Sequence, residues 1–136
     1  MSIENNKTIV KNFYDEVINE KKIESIEKYL TDDFIHNGEK RGIEGQKEAV
    51  KIFLTAFSNL VNTIEIFLGE SDLVCVHESW IGKHTGDFMG VAPTNKQINW
   101  TSTAILKIRD NKISQTWDEN DFLGLFQQMG KYPDNS

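Results

Sequence analysis

The chain of 136 residues fits a single domain, and its 38% hydrophobic content is enough for a packed core. Its 15 Lys and Arg against 21 Asp and Glu give a net charge of −6, which argues against nucleic acid as a partner because phosphate binding requires clustered cations. The sequence also has no basic amphipathic helix for an anionic membrane and no apolar run of the roughly 18 residues that a membrane span needs.

The single cysteine, Cys75, excludes an intrachain disulfide and a Cys-rich zinc site. The N-terminal segment MSIENNKTIVKNFYDEV lacks the apolar core of a signal peptide. Together these features predict a soluble, cytoplasmic protein with no nucleic-acid or membrane partner.

Apolar residues at helical spacing predict three helices in the first part of the chain. They cover residues 4–20, a short stretch from about residue 23 to 30, and residues 42–60. Between the last two, residues 31–38 (TDDFIHNG) predict a brief extended piece that ends in Asn-Gly turn chemistry. His36 and Asn37 in this piece either line the mouth of a cavity or only form the turn.

After residue 60 the apolar residues alternate with polar ones, which is the period of a β-strand. Four strands are predicted from the apolar sets Ile64, Ile66 and Leu68; Val74, Val76 and Trp80; Trp100, Ala104, Leu106 and Ile108; and Ile113 and Trp117. Asp110 and Asn111 predict a hairpin turn between the last two strands, because Asn tolerates positive φ. A closing helix, FLGLFQQMG, ends at Gly130 and is followed by a tail over residues 131–136.

This order predicts an α+β fold in one domain spanning residues 1–136, with an antiparallel sheet and helices on one of its faces. A strongly twisted sheet that folds over a long helix forms a cone, and a cone has an open mouth. We therefore expect a cavity inside the curved sheet.

Strand parity predicts which polar side chains reach that cavity, because alternate residues face opposite sides of a sheet. The same-face sets are Glu78 and His84 with Trp80, Ser102 with Trp100, and Glu119 and Asp121 with Trp117. These sets predict a cavity lined by three tryptophans and a few polar groups.

A bulge near the Asp110-Asn111 turn would change this assignment, because it would shift the pairing of the last two strands by one residue. Trp117 and Asp121 would then lie opposite a different set of residues on the preceding strand: Thr101, Thr103, Ile105 and Lys107. The pattern alone leaves both registers open.

Asp121 has two interpretations. Asp is a preferred N-cap residue, and Asp121 directly precedes the closing helix. A carboxylate in an apolar cavity beside Glu119 could instead act as a general acid or base. His84 is likewise either a structural histidine or part of a catalytic site.

The segment from His84 to Trp100, HTGDFMGVAPTNKQINW, is long for a connection, and its aromatic residues Phe88 and Trp100 indicate a functional role. His77 and His84 are seven residues apart and would face opposite sides of a continuous strand, and His36 is isolated, so no metal site is predicted.

Two motifs resemble those of the SnoaL-like polyketide cyclases. The segment HTGDFMGVAPTNK, from His84 to Lys96, resembles H-x-G-x-F-x-G-x-x-P-T-G-K, with Asn95 in place of Gly. The segment WDENDFLGLFQQMG, from Trp117 to Gly130, resembles W-x-x-x-D-x-x-G-x-x-x-Q-L-G. Further matches at residues 12–19, 32–36 and 42–45 extend the resemblance over nearly the whole chain.

The resemblance implies the cone-shaped α+β fold shared with nuclear transport factor 2 and the ketosteroid isomerases. Characterised members of the family close a ring of an aromatic polyketide by an intramolecular aldol step, with an aspartate as general acid and base and without a metal or cofactor. Carried over through the W-x-x-x-D match, that role falls on Asp121, and the His84–Trp100 segment becomes part of the cavity wall.

These observations predict a cofactor-independent small-molecule enzyme with Asp121 and His84 as catalytic residues. The predicted substrate-binding residues are Tyr14, as a donor to an enolate, and His36, Glu78, Trp80, Phe88, Trp100, Trp117 and Glu119. The alternatives are a ketosteroid-isomerase-like enzyme and a non-catalytic dimer that binds a hydrophobic ligand or serves as a scaffold. In each case we expect a homodimer with a hydrophobic small molecule as its partner.

Overall fold

In the computed structural model, which describes residues 2–133, six strands form one sheet. They are β1 (Leu30–His36), β2 (Glu39–Lys40), β3 (Phe57–Glu70), β4 (Leu73–His84), β5 (Gln97–Arg109) and β6 (Lys112–Asn120). Their order in the sheet is β2-β1-β6-β5-β4-β3, and β1 pairs with β6 in parallel while the other pairs are antiparallel. The α+β prediction is confirmed, and the predicted extended piece joins the sheet as β1.

The helices are α1 (Ile3–Phe13), α2 (Gly42–Ala56) and α3 (Phe122–Met129), with a short 3-10 helix at Ile23–Lys28. Gly130 ends α3 in the left-handed conformation, as predicted. No helix within residues 2–133 is long and apolar enough to cross a membrane. The last three residues of the predicted tail lie outside the described residues.

The first helix changes its winding at its end, where Tyr14–Asn19 form a π-helical turn that continues α1. The side chain of Asn19 holds this turn against β3, since its Nδ2 donates to the carbonyl of Asn62 (3.0 Å) and its Oδ1 accepts from the N–H of Asn62 (2.7 Å). Turns of this kind occur often at functional sites. Here the wide turn places Tyr14 on the buried side of the helix.

The third predicted helix is shorter than expected, because α2 ends at Ala56 and the chain enters β3 directly. Phe57 and Leu60 are fully buried in β3. Their apolar spacing fits a helix as well as a bulged strand, and Asn59 adopts a positive φ of 54° where the pairing with β4 shifts. The apolar pattern alone could not separate these two possibilities.

The core lies between the concave face of the sheet and the helices. Strand β5 shows the predicted alternation along its whole length, with Trp100, Ser102, Ala104 and Leu106 buried and their neighbours exposed. The N-terminal helix packs over this face, where Val10 and Val17 are fully buried. The concave face of the sheet thus forms one side of the core, and α1 with its π turn forms the other.

Strand β6 contains a bulge, which the sequence allowed but did not decide. Asp110 and Asn111 have φ of 53° and 61°, as the predicted hairpin turn requires. Ile108 pairs with Ile113, but Lys107 pairs with Gln115, so Ser114 is an extra residue.

Beyond the bulge, the two faces of β6 are exchanged relative to the first prediction. Thr116, Asp118 and Asn120 face the concave side, and Ile105 lies opposite Trp117 as the alternative register requires. The prediction that Trp117, Glu119 and Asp121 share the buried face of Ile113 is therefore wrong, and Trp117 is 41% exposed.

Candidate active site

A cavity of about 470 Å³ lies inside the curved sheet and under the helices. Much of its wall is apolar, including Phe13, Phe34, Phe53 and Leu106. Polar side chains reach it from several elements: Tyr14, His36, Asn37, Arg41, Gln46, Glu78, Ser102, Thr116, Asp118, Glu119 and Asn120. Two of the carboxyl groups, those of Asp118 and Glu78, stand in contrasting surroundings.

Asp118 is the carboxylate that β6 turns toward the cavity. Its neighbour on β5 is Ala104, whose small side chain leaves room above the sheet. One oxygen, Oδ1, lies 3.0 Å from His36 Nε2 and accepts a hydrogen bond from Asn37 Nδ2 at 3.1 Å. The carboxylate is thus held from one side by the last residue of β1 and the turn residue that follows it.

The parallel pairing of β1 with β6 brings these partners together, because His36 lies beside Thr116 in the sheet. Asn37 then leaves the strand with a positive φ of 47°, and Gly38 follows with 83°, which closes a tight turn into β2. The Asn37 side chain also accepts from the backbone N–H of Asp118 at 2.8 Å. His36 and Asn37 therefore both form the turn and line the cavity.

The surroundings of Asp118 favour its charged form. Partial burial opposes ionisation, but the hydrogen bonds from His36 and Asn37 and the positive charge of Arg41 together lower the pKa of Asp118 below its usual range. The carboxylate is therefore ionised at neutral pH, with a side chain that is 25% exposed. Such a group can accept a proton from a molecule in the cavity.

Glu78 lies deeper, on β4, and is only 2% exposed. Its Oε2 accepts a hydrogen bond from Ser102 Oγ at 2.6 Å, and the same Oγ accepts from Trp80 Nε1 at 2.8 Å. Burial raises the pKa of the Glu78 carboxyl, and the bond from Ser102 offsets only part of this effect. The pKa values of Glu78 and Asp118 are therefore shifted in opposite directions.

Tyr14 faces the deep end of the cavity from the π turn. Burial, together with the nearby Glu78, raises the pKa of its hydroxyl well above the ordinary value. The hydroxyl therefore stays protonated and can donate a hydrogen bond. Its ring meets Trp80 edge to face, with centroids 6.4 Å apart.

Comparisons of sequence and structure show which family the chain belongs to. The sequence profile of the SnoaL-like polyketide cyclases matches residues 8–129. Aklanonic acid methyl ester cyclase DnrD of Streptomyces peucetius is 31% identical over 97 residues, which cover 71% of this chain and 67% of that protein. The chain belongs to the SnoaL-like polyketide cyclase family.

Solved structures agree with this assignment. A candidate polyketide cyclase from Acidithiobacillus ferrooxidans has a TM-score of 0.84 and 28% identity, with 96% of this chain and 98% of that chain covered. TsrD from Streptomyces laurentii has a TM-score of 0.89 and 23% identity, with 97% and 99% covered, and so shares the fold. The predicted SnoaL-like, NTF2-like cone is thereby confirmed.

The second SnoaL-like motif, from Trp117 to Gly130, has a structural explanation. Asp121 caps α3, because its Oδ1 accepts from the N–H of Gly124 at 2.9 Å, and a Cβ at position 124 would collide with this carboxylate. Gln128 bonds both backbone groups of Asn99 on β5. The Asp, Gly and Gln of the motif thus cap the helix and dock it on the sheet.

The first SnoaL-like motif likewise fixes a loop. His84 is fully buried, and its Nδ1 accepts from the N–H of Thr94 at 3.2 Å. Burial lowers the pKa of His84, so the ring is neutral. Between these residues the loop turns Phe88 inward, where it packs against Phe53 and Phe57 and lines the cavity.

The structure brings together most, but not all, of the predicted site residues. Those that line the cavity are Tyr14, His36, Glu78, Trp80, Phe88 and, at its edge, Glu119. Trp100 stacks on Trp80 with parallel rings 5.8 Å apart and lies outside the lining residues. His84, Trp117 and Asp121 are placed elsewhere, in the loop, on the outer face and at the helix cap.

Sequence reasoning missed Asp118 because of the bulge at Ser114. A bulge whose first residue keeps ordinary right-handed dihedrals needs no Gly or Asn, so it leaves no clear mark in the sequence. In the structure the bulge shows as two consecutive buried residues, Ile113 and Ser114. The catalytic role given to Asp121 stays a prediction, but its carboxylate lies outside the cavity wall.

Proposed function

We propose that this protein is a cofactor-independent enzyme that removes a proton from a carbon next to a carbonyl group, with Asp118 as the base, and so closes a ring in a polyketide-like substrate. The observation that carries this proposal is the ionised Asp118 carboxylate, held by His36 and Asn37 at the wall of an apolar cavity. A general base of this kind contributes about 10²–10⁴-fold to a rate.

The proposed step is an intramolecular aldol addition. Asp118 accepts the proton of an acidic C–H, the resulting carbanion forms a new C–C bond to a second carbonyl carbon of the same molecule, and that carbonyl oxygen takes up a proton. No oxidant or external nucleophile is needed. Hydrogen-bond donors near the carbonyl oxygens stabilise the negative charge that develops there, and Tyr14 is such a donor.

The substrate class is supported by the cavity and by the relatives. A volume of about 470 Å³ falls within the range of small-molecule sites, and the aromatic side chains of Phe13, Phe53 and Trp80 favour a flat, apolar ligand. The related DnrD is named for the cyclisation of aklanonic acid methyl ester. We extend from it only the class of substrate, an aromatic polyketide with an activated C–H.

An isomerase is the second candidate, because Tyr14 and Asp118 would also serve a proton transfer that forms no new bond. The two reactions share the first step and differ in their product. A non-catalytic protein that only binds a hydrophobic ligand would perform neither.

The test uses aklanonic acid methyl ester in deuterated water with the full chain. Liquid chromatography separates the substrate from the cyclised isomer, which has the same mass, and mass spectrometry of each follows uptake of deuterium at the activated carbon. We expect cyclisation and deuterium uptake with the wild type and a loss of at least about 100-fold with Asp118→Asn. Asp32→Asn, which changes an exposed carboxylate on β1, is the matched control. Deuterium uptake without a cyclised product would favour the isomerase, and neither event would reject the enzymatic proposal for this substrate.

A further inference from the structure

The deep end of the cavity holds a carboxyl group that the proposed reaction does not use. Glu78 lines the cavity from the middle of β4 and is 2% exposed. An acidic side chain is almost never fully buried unless it is paired. No Lys or Arg side chain among residues 2–133 forms an ion pair with Glu78, so its burial in the cavity wall is unusual.

Three side chains surround the Glu78 carboxyl group, those of Ser102, Tyr14 and Asn62, but only Ser102 makes a hydrogen bond of ordinary length to it. Ser102 has a single hydroxyl proton, which it donates to Glu78 Oε2, while it accepts from Trp80 Nε1. Oε2 is therefore the acceptor oxygen of the carboxyl group. The other oxygen, Oε1, is buried and has no hydrogen-bond partner among residues 2–133.

This arrangement sets where a proton sits on the group. Because Oε2 already accepts from Ser102, the proton of a neutral Glu78 resides on Oε1. Burial favours that neutral form, since it raises the pKa of Glu78. A buried O–H donor without a partner is costly, and the matching group would be an acceptor oxygen brought in by a ligand.

We propose that Glu78 is a substrate-binding residue that acts as a neutral carboxylic acid and donates a hydrogen bond from Oε1 to a carbonyl oxygen of the bound molecule. This proposal rests on the proposed function only for the class of ligand. The cavity then has two polar ends. Asp118 on β6 is the charged base, and Glu78, two strands away on β4, is the neutral donor. Two inter-strand spacings separate the two backbones by roughly 10 Å, so a ligand that reaches both ends carries a carbonyl group away from the reacting C–H.

The titratable groups around Glu78 are Tyr14 from the π turn and Asp118 from β6, which is joined by His36 of β1. Ser102 on β5 and Asn62 on β3 do not titrate. The pKa of Tyr14 is raised well above its ordinary value and that of Asp118 is lowered, so neither changes its charge between pH 6 and pH 9. The binding comparison is repeated in the variant His36→Gln, which lacks the remaining titratable group.

The test compares two rigid probes that differ by one carbonyl group, 9-fluorenone and fluorene. Their binding is followed by quenching of tryptophan fluorescence, since Trp80 lies in the wall. One neutral hydrogen bond predicts that the wild type binds fluorenone about 3- to 10-fold more tightly than fluorene at pH 6. This preference falls as the pH rises and Glu78 ionises, because a carboxylate cannot donate and repels the carbonyl oxygen.

Two variants and a control decide the matter. Glu78→Leu abolishes the preference for fluorenone, whereas Glu78→Gln keeps a neutral donor and retains the preference without its pH dependence. Glu65→Gln, an exposed change on β3, behaves as the wild type. The proposal is overturned if Glu78→Leu keeps the preference or if Glu78→Gln keeps the pH dependence. If Glu78→Leu does not fold, the result for Glu78→Gln still decides.

Because neither probe has a C–H next to a carbonyl group, the outcome is independent of the proposed catalysis. Asp118→Asn keeps the preference for fluorenone if Glu78 is responsible, even if that variant has lost all turnover. A preference lost in Asp118→Asn and kept in Glu78→Leu would assign the carbonyl contact to the Asp118 end instead.

Discussion

His36 Nε2 lies 3.0 Å from Asp118 Oδ1, across the one parallel pair of strands described in the sheet. The contact joins the end of β1 to the middle of β6, and it lies at the wall of the cavity. It lowers the pKa of Asp118, since the imidazole N–H stabilises the charged carboxylate. We propose that His36 is a positioning residue, and we expect its effect in the pH dependence of the proposed reaction.

Replacing His36 tests that role. In His36→Gln the pKa of Asp118 rises, so the base is protonated at a higher pH and the acidic limb of the pH profile of kcat/KM moves upward. Losing the contact that orients the carboxylate also predicts a decrease in kcat/KM of up to about 100-fold at pH values where Asp118 stays ionised. Steady-state kinetics from pH 3 to pH 8 provide the measurement, because the acidic limb of the wild type lies below the usual aspartate value of about 3.9.

The control for this experiment is His77→Gln, because His77 lies on the outer face of β4 and bonds to Thr103. We expect it to leave the profile unchanged. An acidic limb that stays in place in His36→Gln would show that His36 does not tune Asp118.

The buried Glu78 carboxyl predicts a pH-dependent stability. Its folded-state pKa lies above its value in the unfolded chain, so the folded state is most stable below the unfolded value of about 4.3 and loses stability as pH rises through the folded value. Glu78→Gln cannot ionise and should therefore be more stable than the wild type at pH 8, by on the order of 1 kcal/mol. Urea unfolding at pH 5 and pH 8 measures the difference, and an equal change at both values would contradict it.

Asp121 and Gly124 form a capping pair whose members should not act independently. Asp121→Ala loses the cap and costs about 0.5–2 kcal/mol. Gly124→Ala brings a Cβ against the Asp121 carboxylate, so it also destabilises the fold. Once Asp121 is Ala, however, Gly124→Ala should be neutral or stabilising, since Ala is favoured over Gly in a helix by about 1 kcal/mol. Thermal unfolding of the four proteins measures this coupling, and simple additivity would argue against the cap.

The outer face of the sheet predicts a homodimer. Large apolar side chains stand exposed there: Ile66, Leu68, Ile81, Ile105 and Trp117. Contiguous patches of this kind are typical of protein interfaces. We expect sedimentation at micromolar concentration to give twice the mass of the chain, and Trp117→Lys to weaken the dimer.

The matched control for the dimer is Leu123→Lys, which places the same charge on an exposed residue of α3 away from the sheet. A monomeric wild type, or a dimer equally sensitive to both changes, would reject the outer face as the interface.

Much of this fold is predictable because its signals are local. The strict alternation of β5, the Asn residue in the Asp110-Asn111 turn and the glycine that ends α3 are each set by residues next to one another, and the structure agrees with them. The cavity-facing positions of Glu78 and Trp80 also follow from strand parity. Local chemistry is enough to predict these features.

The position of the proposed base, Asp118, was not predictable in the same way. Which residues of β6 face the cavity depends on one extra residue, Ser114, and a one-residue slip moves every later side chain to the other face. The partner of Asp118 comes from β1, about 80 residues earlier in the chain, through a parallel pairing that leaves no local mark. The motif around Asp121 marks the cap of α3 instead, and the carboxylate beside the cavity lies three residues before it.

The most direct test of the account compares Asp118→Asn with Asp121→Asn in the same turnover assay on aklanonic acid methyl ester. Asn retains the capping ability of Asp, so Asp121→Asn should keep the cap of α3. We expect both variants to fold with melting temperatures close to that of the wild type. The account predicts that Asp118→Asn loses deuterium uptake and cyclisation by at least about 100-fold, while Asp121→Asn keeps both within about twofold of the wild type. Full activity in Asp118→Asn together with a large loss in Asp121→Asn would contradict it and return the catalytic role to Asp121.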